Sequence, residues 1–221
     1  MPRIPLTPPS TLKVSRHQIP RHKFIPNTSI QGHPLTIYHS CIPNSTSPSD
    51  IESHLETIGV VAPSWRYTMF DRNHFHSTTH EVLCVFSGSA TLSCSPFSFS
   101  LSFCLHLRFS HLVCPNFHSS KKLCMEKLLN PFQGFGGETN PGRVETAVEE
   151  GDVIIIPAGV SHRLLKTLSG DFQMIGSYPN GRHWDMCHGF EEEGKRVKNI
   201  SDLGWFDQDP LYGHDGPSLD E

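Results

Sequence analysis

Three features of the 221-residue sequence predict an all-β fold, a sandwich or barrel with one short helix. Short runs rich in β-branched and aromatic residues recur from Val60 onward, turn residues punctuate them, and only one segment has helical spacing. Residues 1–49 contain nine Pro and five Lys or Arg, and the first acidic residue is Asp50. An acid-poor basic N-terminus can be an organelle presequence, but this many prolines forbid the amphipathic helix a presequence needs. Residues 1–22 are expected to be a Pro-rich, partly disordered basic arm, followed by a domain over 23–217 whose first strand is Leu35-Thr36-Ile37-Tyr38. The spacing Ser49-Asp50-Ile51-Glu52 matches a capping box, Ile51, Leu55 and Ile58 follow at helical intervals, and Gly59 stands where a helix stops. A helix is therefore predicted over 50–58. Strands are predicted at 60–61, 65–70, 81–86, 143–148, 152–156, 162–167 and 172–178. Asn73, Gly88, Gly151, Gly159, Gly170 and Asn180-Gly181 are the expected turns between them.

The segment 93–133 breaks this pattern: it has no Gly or Asp, but eight Ser, six of the fourteen Phe and four of the seven Cys. From Phe97 to Phe109 it alternates strictly between apolar and other residues. One reading is a strand of about twice the usual length with an apolar and a Ser-rich face, an aggregation hazard at a sheet edge. The other is translated intron, because pyrimidine-rich codons encode Ser, Phe, Leu, Pro and Cys; such an insert would be disordered or poorly packed. Removing 93–133 joins Ala90-Thr91-Leu92 to Gly134-Phe135-Gly136-Gly137, an ordinary hairpin signal, which favours the intron.

Composition excludes several functions. With 18 Lys plus Arg against 22 Asp plus Glu, the formal charge of -4 argues against a nucleic-acid partner. No apolar run is long enough for a membrane span, and the N-terminus lacks the pattern of a secretory signal. Seven Cys without a C-x-x-C pair suit reduced thiols, so a cytoplasmic protein with no membrane partner is expected.

Fifteen His is a high number for this length, and four residues are spaced as ligands. In His74-Phe75-His76-Ser77-Thr78-Thr79-His80-Glu81, two His at i and i+2 of an extended chain share a face, and Glu81 opens the next strand with a carboxylate. In Gly151-Asp152-Val153-Ile154-Ile155-Ile156-Pro157-Ala158-Gly159-Val160-Ser161-His162, Gly and Pro bracket an apolar strand and the turn returns a third imidazole, His162. Three imidazoles and one carboxylate suit a divalent first-row metal with positions left for water or substrate.

These stretches resemble the paired motifs of the cupin superfamily. The first, H-x-H-x(4)-E-x(6)-G, is carried by His74, His76, Glu81 and Gly88, and the second, G-x(5)-P-x-G-x(2)-H, by Gly151, Pro157, Gly159 and His162. Ser77-Thr78-Thr79-His80, Pro179-Asn180-Gly181 and Asp209-Pro210-Leu211-Tyr212-Gly213 look like those of the small single-domain cupins labelled YjlB-like. The chain departs from the pattern at Thr68 and Lys166, neither a ligand position, and in having 62 residues between Gly88 and Gly151.

The resemblance implies a cupin jelly-roll barrel, RmlC-like, with one divalent ion, iron, manganese, nickel or zinc, on His74, His76, Glu81 and His162. It also implies a mononuclear metal-dependent enzyme acting on a small, polar molecule, of oxygenase or isomerase type, or else a non-catalytic module that binds a small molecule or metal. A homodimer is a further expectation by analogy. Around the ligands, His80 is expected to turn away from the pocket, Cys84 to face the opposite side from Glu81, Leu83 and Val85, and Cys187 to be no nucleophile. Tyr178, His183 and Trp184 are expected to serve packing or loop anchoring more than the pocket wall.

Overall fold

The computed structural model describes residues 4–94 and 142–219. In chain order these contain β1 (Lys13–His17), β2 (Leu35–His39), α1 (Pro48–Ile58), β3 (Val61–Tyr67), β4 (Glu81–Cys94), β5 (Val144–Glu149), β6 (Val153–Ile156), β7 (Arg163–Pro179) and α2 (Gly194–Lys198), with short 3-10 turns between some of them. The strands pair antiparallel in the order β1-β2-β6-β4-β7-β3, and β5 also pairs with β4. The protein is thus mostly antiparallel β-sheet, as expected, and among the described residues the path ends at β1 and β3 without closing.

Two expected turns lie inside strands. Gly88 falls within β4 and Gly170 within β7, at positive φ of 70° and 63°. The pairing of β4 with β7 slips in register around both, and a Cβ on Gly170 would come 3.3 Å from the Gly88 Cα. Two glycines crossing at this distance let both strands bend together without ending. The first part of β4 pairs with β6 and the second with β5. The bend brings Leu83 and Val85 from one part and Ala90 and Leu92 from the other into one apolar cluster. The sheet therefore folds over a core.

The other face is buried too, which explains the unbroken apolar run of β6. Ile154 and Ile156 join the inner cluster, whereas Val153 and Ile155 pack with Val82, Cys84 and Ile175 under α1 and the C-terminal segment. Ile51 and Leu55 of α1, with Phe206 and Leu211, cover this face. Each such side chain, fully buried, contributes roughly 1.5–3 kcal/mol.

The helix begins two residues before the predicted position. Ser47, not Ser49, is the N-cap: its Oγ accepts from the Asp50 N–H and donates to the Asp50 carboxylate, with Pro48 at the first helical position. Gly59 stops the helix as expected, at φ 77° with its N–H on the Leu55 carbonyl. Within the N-terminal arm, β1 adds an edge strand to β2, and its Lys, Arg and His suit an exposed edge. The unexpected helix α2 has Glu191, Glu192 and Glu193 before it and Lys195, Arg196 and Lys198 along it, charges that suit its dipole.

Ser93 and Cys94 are buried and paired: Ser93 opposes Glu145 of β5 and Arg163 of β7, and Cys94 opposes Val144 of β5. They belong to β4, so the atypical segment begins after them; its remainder, including the Phe97 to Phe109 alternation, and the glycines expected to form the hairpin at 134–137 lie outside the described residues.

Because Cys94 and Val144 are paired, deleting 95–141 would leave Gly142-Arg143 as a two-residue loop with Gly first, the type II′ hairpin pattern. That deletion is expected to leave a folded, more soluble protein with an unchanged or higher melting temperature; an unfolded product would show that the segment is part of the fold. Gly151→Ala would put a Cβ 2.5 Å from the Ile42 carbonyl oxygen at φ 94°. It should cost about 2 kcal/mol or more, against about 1 kcal/mol for Gly181→Ala, where φ is 76° but space is open. Urea unfolding of the two variants measures the difference.

Candidate metal centre

The chain from His74 to His76 is extended but lies outside the named strands, held instead by isolated bridges. His74 and His162 exchange backbone hydrogen bonds of 3.3 and 2.9 Å, Phe75 and Cys187 exchange bonds of 2.9 and 3.0 Å, and the Gly159 N–H donates to the His76 carbonyl at 2.8 Å. The first and second sequence motifs are therefore paired directly. Phe75 points away into a cluster with Ile25, Ala158, Cys187 and Ile200, leaving His74 and His76 on the opposite face. Gly159 makes the turn toward His162 at φ 90°, where a Cβ would come 2.8 Å from Pro26. A larger residue fits neither constraint.

His74, His76 and His162 are buried, and their ligand nitrogens lie within 4.8 Å of one another. Each ring has its Nδ1 against a backbone carbonyl: His74 on Arg72 at 2.9 Å, His76 on Asp185 at 2.5 Å and His162 on Val160 at 3.0 Å. A carbonyl oxygen only accepts, so each Nδ1 carries a proton and each ring, when neutral, presents an Nε2 lone pair. This is the tautomer in which His ligates through Nε2.

Glu81 lies beside the three His. Its Oε2 is 3.1 Å from His162 Nε2 and 3.5 Å from His76 Nε2, and among the described residues no hydrogen bond satisfies it. Lone pairs at this separation repel unless a proton or a metal ion stands between them. Burial pulls His76 toward lower pKa, but the Glu81 carboxylate outweighs it and the direction is up. Burial raises Glu81, yet His76 and His162 outweigh that and hold it well below the ordinary carboxylate range. Without metal the proton sits on the imidazole side, where a cation would displace it. His74 is pushed down to about 3 by burial and by His162, so it stays neutral.

The other Glu81 oxygen is fixed. Tyr178 donates to Oε1 at 2.7 Å, and the Trp65 Nε1–H donates to the Tyr178 hydroxyl at 2.9 Å. Sequence reasoning assigned Tyr178 and Trp184 mainly to packing, but both line the cavity, and Tyr178 orients a candidate ligand. The signal was the antiparallel register of β4 and β7, in which Val82 opposes Ser177, and this follows only from the strand pairing. Asp185 escaped notice altogether. Its carboxylate accepts from the Ser77 N–H and hydroxyl at 2.6 Å each, tying the 183–187 loop to the first motif.

The expectations for neighbouring residues can be placed as well. His80 is buried with its Nδ1 accepting from the Ala158 N–H and its Nε2 donating to Gly204, and burial lowers it to about 4, so it is neutral and bridges loops. Cys84 packs in the cluster opposite to Leu83 and Val85. Cys187 is buried and its thiol is pushed up to about 12 by burial and by Asp185. The His183 carbonyl accepts from the Thr78 hydroxyl and so anchors its loop.

The ligand side chains face a cavity of about 520 Å³ lined also by Trp65, Tyr67, Thr68, Met69, Phe70, Leu83, Trp184 and Met186. Its volume suits a small molecule. No family model matches the chain. Among curated proteins it is similar to the uncharacterized protein YjlB of Bacillus subtilis (strain 168), at 26% identity over 188 residues that span 85% of this chain and 84% of that protein.

Tyr178→Phe removes the donor to Glu81 Oε1 and the acceptor for Trp65 while keeping the ring. The variant is expected to bind divalent metal about 10–100-fold more weakly than the parent, in competition with a chromophoric chelator. Unchanged affinity in a folded variant would mean that the hydroxyl does not position Glu81.

Proposed function

We propose that the protein is a single-domain cupin in which His74, His76, Glu81 and His162 hold one divalent ion, iron, manganese, nickel or zinc, at the floor of a small-molecule pocket. The observation that carries this reading is the convergence of three imidazoles, each oriented by an Nδ1 hydrogen bond, beside a buried carboxylate oxygen with no hydrogen bond among the described residues. Imidazole and carboxylate donors in this number suit those metals. The spacing of both sequence motifs and the sheet folded over one core support a jelly-roll barrel.

A bound ion would polarise a ligand oxygen or serve as a site for dioxygen, the chemistry of an isomerase or an oxygenase acting on a small molecule. The chain's own contributions are separable. Arg72, Asp185 and Val160 hold the imidazole tautomers through their carbonyls, Tyr178 orients Glu81, and aromatic and Met side chains give the cavity an apolar wall. A second reading is a module that binds without catalysis. It is favoured by the absence of Asp, Lys or Arg from the cavity lining among the described residues, which leaves Glu81 and the phenols of Tyr67 and Tyr178 as the acid-base groups besides the imidazoles.

No helix among the described residues is long and apolar enough to cross a membrane. We propose a cytoplasmic location, which the free thiols of Cys41, Cys84, Cys94 and Cys187 among the described residues support. The edge strands β1 and β3 leave room for a homodimer.

Elemental analysis of the full chain, purified without chelator or metal-affinity tag, tests the site. About one equivalent of a first-row metal is expected in the parent and a sharp loss in His76→Ala, with unchanged far-UV circular dichroism. Full metal content in His76→Ala would reject the assignment, as would a folded parent that neither carries metal nor takes it up on titration.

A further inference from the structure

We infer that the pocket accepts a flat aromatic molecule carrying one ionised oxygen, and that it discriminates against phosphorylated and polyanionic ligands. This rests on the metal-site reading above and names the ligand class that the surrounding wall selects. Among the described residues six large hydrophobic side chains are exposed, and three of them, Tyr67, Phe70 and Trp184, line this one cavity at 67%, 45% and 48% exposure. Exposed aromatics on one concavity are unfavourable in water unless something covers them.

The backbone beneath these rings is pinned. Tyr67 closes β3 opposite Met174, and the Phe70 carbonyl accepts from the Leu164 N–H at 2.9 Å. Trp184 stands between His183, whose carbonyl holds the Thr78 hydroxyl, and Asp185, whose carboxylate holds Ser77. Its ring centroid lies 6.0 Å from that of His76, and the Phe70 ring meets His74 edge-on at 5.7 Å. Phe70 and Trp184 therefore stand against different imidazoles and, with Tyr67, line an aromatic slot beside the candidate ligand nitrogens.

Charge fixes the second half of the inference. A divalent ion on three neutral imidazoles and the Glu81 carboxylate leaves one positive charge in a buried site. One anionic oxygen, a phenolate, enolate or carboxylate, neutralises it, whereas two or more negative charges would be left uncompensated. Among the described residues no Lys or Arg lines the cavity to receive a phosphate.

The test uses the full chain loaded with zinc, titrated at pH 7 with 4-nitrocatechol, with lactate as a monoanionic oxygen donor without a ring, and with glucose 6-phosphate. Binding is followed by tryptophan fluorescence quenching and by the absorbance of the nitrocatechol, and retained zinc is measured after each titration. The expected result is nitrocatechol binding at least about tenfold tighter than lactate, no saturable binding of the sugar phosphate, and about tenfold weakening in Trp184→Ala and Phe70→Ala with zinc content unchanged. Equal affinity for lactate and nitrocatechol, tighter binding of the phosphate, or variants that bind as the parent does would overturn the aromatic slot while leaving the metal site intact. Failure to take up zinc would instead remove the site on which the inference rests.

Discussion

The Glu81 carboxylate is buried against two imidazoles, and an ionised group in that position must have its charge answered within bonding distance. Tyr178 satisfies one oxygen and leaves the other facing His76 and His162. His76 and His162 turn their Nε2 atoms to that oxygen while their Nδ1 atoms are held by carbonyls, so the site requires a positive centre between them, either a proton on an imidazole or a metal ion. The backbone arrangement around it serves to hold four side chains in a position they would not adopt in isolation. The direct pairing of His74 with His162 makes the two distant motifs one structural unit, since neither histidine can move without breaking bonds to the other.

Glycine supplies the geometry that this pairing needs. Gly159 turns the chain to His162 against Pro26, and Gly151 turns it into β6 against the Ile42 carbonyl. Gly88 faces the Ser169 carbonyl and the Phe172 backbone where β4 and β7 bend. All three sit at positive φ with backbone or a ring in the space a Cβ would fill, so the motif glycines answer two constraints at once. The bends they permit let β4 begin at Glu81, beside the three His, and still contribute Ala90 and Leu92 to the same core as Leu83.

Local spacing made the convergence of the three His legible. His74 and His76 share a face because an extended chain alternates, and the Gly159 turn places His162 in reach; both follow from a few adjacent residues. The β-rich character and the apolar β6 were legible for the same reason. What escaped the sequence depends on distant pairing. Tyr178 reaches Glu81 only through the register between β7 and β4, and Asp185 holds Ser77 across more than a hundred residues of chain. The helix start was misplaced because Ser47 and Ser49 both stand near Asp50, and Pro48 at the first helical position was the cue that separates them. Gly88 and Gly170 read as strand ends because a glycine at positive φ looks the same in sequence whether the chain turns back or bends.

The position of Glu81 can be traced one step further, to a residue with no polar atom in its side chain. Gly176 lies under the Trp65 ring, and a Cβ there would fall 2.0 Å from Trp65 Cε2. With only hydrogen at that point, the indole can lie flat against β7 and deliver its Nε1–H to the Tyr178 hydroxyl. That donation occupies a lone pair of the hydroxyl and leaves its proton to go to Glu81 Oε1. Were the indole displaced, the tyrosine could rotate its proton elsewhere, and both carboxylate oxygens would compete for the imidazoles. The direction of the hydrogen-bond chain, from Trp65 through Tyr178 to Glu81, is what leaves Oε2 as the free acceptor beside His76 and His162. A glycine five residues past Asp171 on an otherwise ordinary strand thereby governs which oxygen of the carboxylate faces the candidate metal position.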